Sequence, residues 1–259
     1  MEAITAFDPE RIIEILESAN VPALSPDEGL RERKKRRLRQ RISNVATALF
    51  LADGFEAVSV ARIAARSEVS EQTVFNYFPT KESMFFDEAD DLSRSIADAL
   101  RDPSHGSLSE VVRPALIGPV FPDRWPGIDA AEGLAILRRF AEVASTSPTL
   151  RAAQYLAMEP FMGTIATALA ERNATKPDDP EVLLTALVFA GLVLIRQRSF
   201  RQHALSDASL AALMRGVDRD IERAIKVAKP TLDAFDGLRD APRSRAATTS
   251  AGSRRMGSG

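Results

Sequence analysis

Leu38, Ile42, Val45 and Leu49 recur at spacings of four, three and four, which is one face of a helix. The spacing predicts a helix that starts near Arg31 and ends at Gly54. Ahead of it, "DPERIIEILESA" predicts a short amphipathic helix, with Asp8 as cap and Pro9 at the first helical position, and "VPALSPDEG" breaks it. "SVARIAARS" predicts a short helix capped by Ser59, with Val60, Ile63 and Ala64 on its apolar face. After "EVS", "EQTVFNYF" predicts a second short helix with Val74 and Phe78 inward. Pro79 stops it, and Thr80 caps a further helix expected to reach about Leu100.

Beyond that point the helical pattern is nearly unbroken. "LSEVVRPALIGPVF", "AAEGLAILRRFAEVAS", "SPTLRAAQYLAMEPFMGTIATALAERN", "DPEVLLTALVFAGLVLIRQRSF" and "SDASLAALMRGVDRDIERAIKVA" each start at a plausible cap. Pro160 is expected to kink the third of these. No stretch shows the alternation of a half-buried strand, so the fold class is all-α. The end, "GLRDAPRSRAATTSAGSRRMGSG", is small, polar and basic, and is expected to be disordered.

The composition is that of a soluble globular chain: 259 residues, 45% hydrophobic and 27% charged, with a net charge of -2. Charge distribution changes this picture. "RERKKRRLRQR", Arg31 to Arg41, holds eight basic residues and one acid, which suggests a polyanion-facing end. With no cysteine, thiolate metal sites and cysteine nucleophiles are excluded, and His105 and His203 lie far apart. There is no phosphate loop, and paired acids such as Asp90–Asp91 and Asp178–Asp179 read as caps or surface. The reading is therefore not an enzyme, with no cofactor and no metal. The N-terminus carries acids where a signal peptide needs basic residues, and the longest apolar run, Val182 to Ile195, is short for a membrane span and ends in "RQR". The expected location is the cytoplasm, with no membrane partner.

"SVARIAARSEVSEQTVFNYF" has the form of two short helices joined by a tight turn, a helix-turn-helix. Burying Val74 and Phe78 leaves Glu71, Gln72, Thr73, Phe75, Asn76 and Tyr77 on the other sides. Gln and Asn can pair with adenine edges, and Thr and Phe can touch thymine methyls. Tyr and Lys can bind phosphate, and Lys81 stands at the start of the next helix.

From Arg41, "RISNVATALFLADGFEAVSVARIAARSEVSEQTVFNYFPTKESMF" closely resembles the DNA-binding region of the TetR family of transcriptional repressors, in an actinobacterial-type variant. The matching positions are Phe50, Gly54, Ser59, Val60, Ile63, Ala64, Val69, Ser70, Phe75, Tyr77, Phe78, Lys81 and Glu82, over roughly residues 36 to 88. Three positions depart from the pattern. Glu68 replaces the turn glycine, and at positive φ it would cost about 1 kcal/mol. Phe75 replaces the usual Tyr and loses a hydroxyl, while Tyr77 replaces the usual His and keeps a donor.

The resemblance implies an N-terminal three-helix DNA-binding domain and a C-terminal helical regulatory and dimerisation domain. The expected divisions are an extension over 1–30, the helix-turn-helix domain over 31–88, the regulatory domain over 89–230 and a tail over 231–259. DNA contacts are assigned to Ser59, Arg62, Ser70, Gln72, Thr73, Phe75, Asn76, Tyr77 and Lys81. The basic run is expected to cross a flanking phosphate or reach a minor groove. By resemblance the last two long helices form a four-helix homodimer interface, with Ala186, Ala190 and Gly191 permitting close approach. A small-molecule effector pocket would be lined by Phe121, Trp125, Phe140, Tyr155, Met158, Phe161, Met162 and Phe189. The implied function is a dimeric repressor released from a palindromic operator of double-stranded DNA by an apolar effector, an acyl-CoA among the candidates. The alternative is a regulator that works through protein partners and whose helix-turn-helix no longer reads DNA.

Overall fold

The computed structural model describes residues 8–19, 29–117, 128–206 and 209–240. They form twelve α-helices and one 3-10 turn, with no strand among the described residues. The helices are α1 (Pro9–Ala19), α2 (Leu30–Asp53), α3 (Val60–Arg66), α4 (Glu71–Tyr77), α5 (Lys81–Phe85) and α6 (Asp87–Arg101), followed by α7 (Leu108–Leu116), α8 (Ala130–Thr146), α9 (Pro148–Leu156), α10 (Met158–Asn173), α11 (Pro180–Ser206) and α12 (Leu210–Asp240).

Side-chain caps set the helix starts, at the expected Asp8, Ser59 and Thr80 and also at Ser70. Asp8 accepts from the Glu10 N–H, Ser59 from Arg62, Ser70 from Thr73 and Thr80 from Ser83. Gly54, at φ 85°, ends α2 in a backbone conformation that side chains disfavour. Glu68 is at φ 57° in the turn between α3 and α4, so the chain carries the strain that the missing glycine implied.

Two helical runs read from the sequence are each divided in two. Between α5 and α6 the chain turns at Phe86, because Phe85 is buried and Phe86 packs edge-on against it at 5.2 Å. Successive side chains on one straight helix point about 100° apart, and the bend lets both rings reach the core. The second break, at Ala157, separates α9 from α10. Pro160 falls in the first turn of α10; it has no N–H for the Leu156 carbonyl and its ring crowds that group, so the run breaks where the proline was expected to bend it.

Three apolar clusters organise the chain. α2, α3, α4 and α5 bury Ile42, Leu49, Phe50, Ile63, Val74 and Phe78 in the N-terminal domain. α6, α7, α10, α11 and α12 form the larger C-terminal core. The third cluster joins Ile12, Ile15 and Leu16 of α1 to Ala48 and Leu51 of α2 and Ile136 of α8. α1 thus belongs to the packed molecule, unlike the separate extension expected over 1–30. α8 reaches all three clusters: Leu134, Leu137 and Ala141 face the C-terminal core, Ile136 meets α1, and Val143 and Ala144 meet the N-terminal core.

α12 runs ten residues past the expected end at 230. Leu232 and Phe235 are buried, and the Asp236 carboxylate accepts from the Leu108 N–H at the start of α7 at 2.8 Å. The remaining tail, 241–259, lies outside the described residues. Midway along the α11–α12 pair, Ser199 donates to Asp220 at 2.7 Å and the His203 Nε2 lies 3.1 Å from the same oxygen. A Cβ at Gly216 would sit 2.5 Å from the His203 ring, so glycine is required for this approach. The Ser199 hydrogen bond, aided by His203 and Arg223 and opposed by burial, holds the Asp220 carboxyl below its ordinary value. A depressed carboxylate contributes stability above its unfolded pKa and loses it as pH falls through its folded one. Asp220→Asn is therefore expected to melt lower than the parent at neutral pH, with the gap closing as pH falls below the ordinary Asp range. A gap that stays constant in acid would assign the loss to packing alone.

Candidate nucleic-acid interface

α3, the Glu68 turn and α4 form the helix-turn-helix. Val74 and Phe78 lie on the inner side of α4 and are fully buried, so the exposed side is fixed. Gln72, Phe75 and Asn76 stand on it, and Thr73 and Tyr77 flank it half-buried. Gln72 Nε2 donates to Asn76 Oδ1 at 3.2 Å, one turn apart. Their remaining amide groups point outward as a pair able to donate to and accept from base edges. Phe75 exposes 44% of its surface, an apolar face beside two amides.

The other assigned residues have local work as well. The Ser59 and Ser70 hydroxyls accept helix N-terminal N–H groups, and Ser70 and Thr73 share a 2.8 Å hydrogen bond. Arg62 pairs with Asp53 at 2.7 Å but remains half exposed, and exposed pairs of this kind are worth about 0–1 kcal/mol, so a phosphate can displace the acid. Lys81, expected to offer its ammonium to a phosphate, is turned inward. Its Nζ donates to the carbonyls of Phe55 (3.0 Å) and Val58 (3.1 Å) and lies 4.1 Å from the Phe55 ring centroid. Those carbonyls belong to the α2–α3 connection, where the Val58 N–H reaches the Phe55 carbonyl at only 3.4 Å, so the ammonium closes the loop with two of its three N–H groups.

Sequence reasoning missed the residues that fix this unit to its surroundings. Arg41 reaches Glu68 in the turn at 3.2 Å. The Arg39 guanidinium lies 4.8 Å over the Phe78 ring and pairs with Asp87 at the head of α6. Both arginines stood in the basic run, whose density hid their separate roles. Toward the C-terminal domain, Phe85 stacks on Phe140 at 4.4 Å and 17°. Arg139 Nε donates to the Leu51 carbonyl at 2.7 Å, and Ser147 donates to Glu56 at 2.6 Å.

The expected pocket residues divide. Met158, Phe161 and Phe189 belong to the C-terminal core, with Met162 packed half-buried against it. Phe140 does not join them, because its ring is taken up by the domain junction. Tyr155 does not either: it stands 68% exposed near the end of α9, where the helix turns its side chain to solvent. Phe121 and Trp125 lie outside the described residues. In α11, Ala186 and Ala190 are buried within their own chain, so the small residues expected at a partner face look inward. The exposed side carries Leu183, Leu184, Leu187 and Ile195, with Gly191 among them and no atom within 4 Å of a Cβ placed there. α11 is long and apolar enough to cross a membrane by length and composition, but its buried side packs on α10 and α12.

A family model described as "Bacterial regulatory proteins, tetR family" matches residues 42–87, the span of this interface. A second, "MftR C-terminal domain", matches residues 110–226. The HTH-type transcriptional regulator TcmR of Streptomyces glaucescens is 30% identical over 193 residues, covering 71% of this chain and 81% of that protein. Among solved structures, a TetR-family regulator from Mesorhizobium loti is 23% identical and covers 77% of this chain and 98% of its own, with a TM-score of 0.39. One from Streptomyces coelicolor is 19% identical and covers 82% and 89%, with a TM-score of 0.36.

Proposed function

The chain belongs to the tetR family of bacterial regulatory proteins, and on that premise we propose that it acts as a dimeric repressor, released from a palindromic operator by a small apolar effector. As a family member it is a DNA-binding transcriptional regulator, and its work belongs in the cytoplasm with the DNA. The observation that carries the operator reading is the division of α4, with Val74 and Phe78 fully buried and Gln72, Phe75 and Asn76 presented to solvent. Two copies related by a two-fold axis would place two such helices in successive major grooves, about 34 Å apart. The unpaired apolar side of α11 supports the second copy, since an exposed contiguous patch marks a contact surface.

The effector reading is supported by Met158, Phe161, Met162 and Phe189, an apolar set whose thioethers repack easily around a guest. Acyl-CoA thioesters are candidates for the guest. Such a ligand would act by favouring an arrangement in which the two reading helices no longer match their half-sites, with about 1–3 kcal/mol of coupling. α8 supplies a route, because it packs on both cores and carries Arg139 and Phe140 at the junction.

Selection of bound duplexes from a randomised library by the full-length protein is expected to return an inverted repeat. Recovery of single half-sites, or of no common sequence, would overturn the palindromic reading. Titrating acyl-CoAs against the selected duplex, with Trp125 fluorescence as the binding signal, tests release. A ligand that changes the fluorescence and leaves DNA affinity unchanged contradicts the link.

A further inference from the structure

We propose that the N-terminal half of α2 is a second DNA-binding element, a rigid basic helix that grips phosphates outside the half-site read by α4. The proposal rests on the reading of α4 as the base-contacting helix. α2 is continuous from Leu30 to Asp53, with neither glycine nor proline inside it. The basic run is therefore part of a rod and not a loose arm. A helix with its side chains is about 10–12 Å across and does not enter a minor groove about 6 Å wide. The body of the rod therefore stays outside the groove, against the phosphates.

The helix pattern selects the residues. Lys34, Arg37 and Arg41 are separated by three and four positions, lie on one face and are all exposed. Arg31 and Lys35, also exposed, widen the stripe. Its near end lies beside the reading unit, where Arg41 pairs with Glu68 in the turn that leads into α4. Its far end, Lys34, stands about 10 Å further along the axis, at 1.5 Å per residue. The stripe thus starts beside the reading unit and leads away from it. Lys34 and Arg37 have no acidic partner among the described residues.

In the isolated protein this arrangement is electrostatically unfavourable twice over. Six basic residues crowd positions 31 to 37 against one acid, Glu32, and like charges three or four apart on a helix repel. They also sit in the first two turns, where the helix dipole is positive and favours acids. A solvated helix face normally mixes signs. A phosphodiester backbone removes both penalties at once, and each phosphate neutralised releases counterions.

The test compares the full-length protein with a Lys34→Gln/Arg37→Gln double variant. On a long random-sequence duplex, titrated between about 50 and 200 mM salt, the slope of log K against log salt should fall by about 0.9 for each phosphate no longer neutralised, or about two per protomer. On the operator selected by the parent protein, trimming the flanking base pairs should weaken the parent more than the double variant. A Lys34→Arg/Arg37→Lys variant should restore the parent slope, and circular dichroism should show equal helix content in all three. An unchanged slope, or a slope reduced equally in the charge-retaining variant, would overturn the proposal. A slope reduced in the double variant, together with a parent that prefers no sequence, would keep the basic stripe and remove the reading of α4.

Discussion

Gly191→Arg is expected to convert the protein to monomers and to abolish tight operator binding. The substitution is harmless within one subunit. No atom lies within 4 Å of a Cβ at Gly191, and replacing a helix-interior glycine gains up to about 1 kcal/mol of helix propensity. Its neighbours on the same side of α11 are Leu184, Leu187 and Ile195, which are 56%, 53% and 43% exposed. A guanidinium placed among them stays solvated in a monomer and would be buried without a partner in a dimer, at a cost of several kcal/mol. Each half-site alone holds one reading helix, so the monomer loses the doubled attachment that gives a palindrome its affinity. Light scattering and operator titration check this together. A variant that remains dimeric with full affinity would remove the exposed side of α11 from the interface.

Ile15→Ala is expected to cost about 2–4 kcal/mol, the usual range for emptying a buried aliphatic site. In a domain of this size that corresponds to a fall of roughly 5–15 °C in melting temperature. Ile15 is 3% exposed, and Ile12 beside it is equally buried. Together with Leu16 they cover Ala48 and Leu51 of α2 and Ile136 of α8, so the loss is felt at the junction of the two domains. Arg11 on the same helix reaches Glu132 of α8 at 3.3 Å, an exposed pair of small weight, so packing carries the attachment. Thermal melts monitored by circular dichroism check the shift. An unchanged melting temperature would return α1 to the status of a detachable extension.

What could be read from sequence was set by short-range signals. The helix-turn-helix was legible because its caps Ser59 and Thr80 and its inward pair, Val74 and Phe78, act within one or two turns of chain. The break at Phe86 was not legible, because no glycine or proline marks it, whereas Pro160 marks the one at Ala157. The inward turn of Lys81 depends on carbonyls more than twenty positions away. α11 concealed which side faces its own core, since its apolar residues run nearly all the way round and leave periodicity no contrast. The same limit scattered the expected pocket. An aromatic residue's type does not say whether it lines a cavity, joins two domains as Phe140 does, or stands in solvent as Tyr155 does.

The claim on which the functional reading turns is that α4 reads bases. Its most direct test is the affinity of the parent protein and of Gln72→Ala for every single-base variant of the selected half-site. Gln72 is exposed and its side chain hydrogen-bonds to Asn76 on its own helix, so its removal is expected to leave the fold intact. The expected result is a loss of about 1–3 kcal/mol of discrimination at one or two base pairs, with preferences elsewhere unchanged. A uniform loss across all positions, or no change at any, would contradict the assignment.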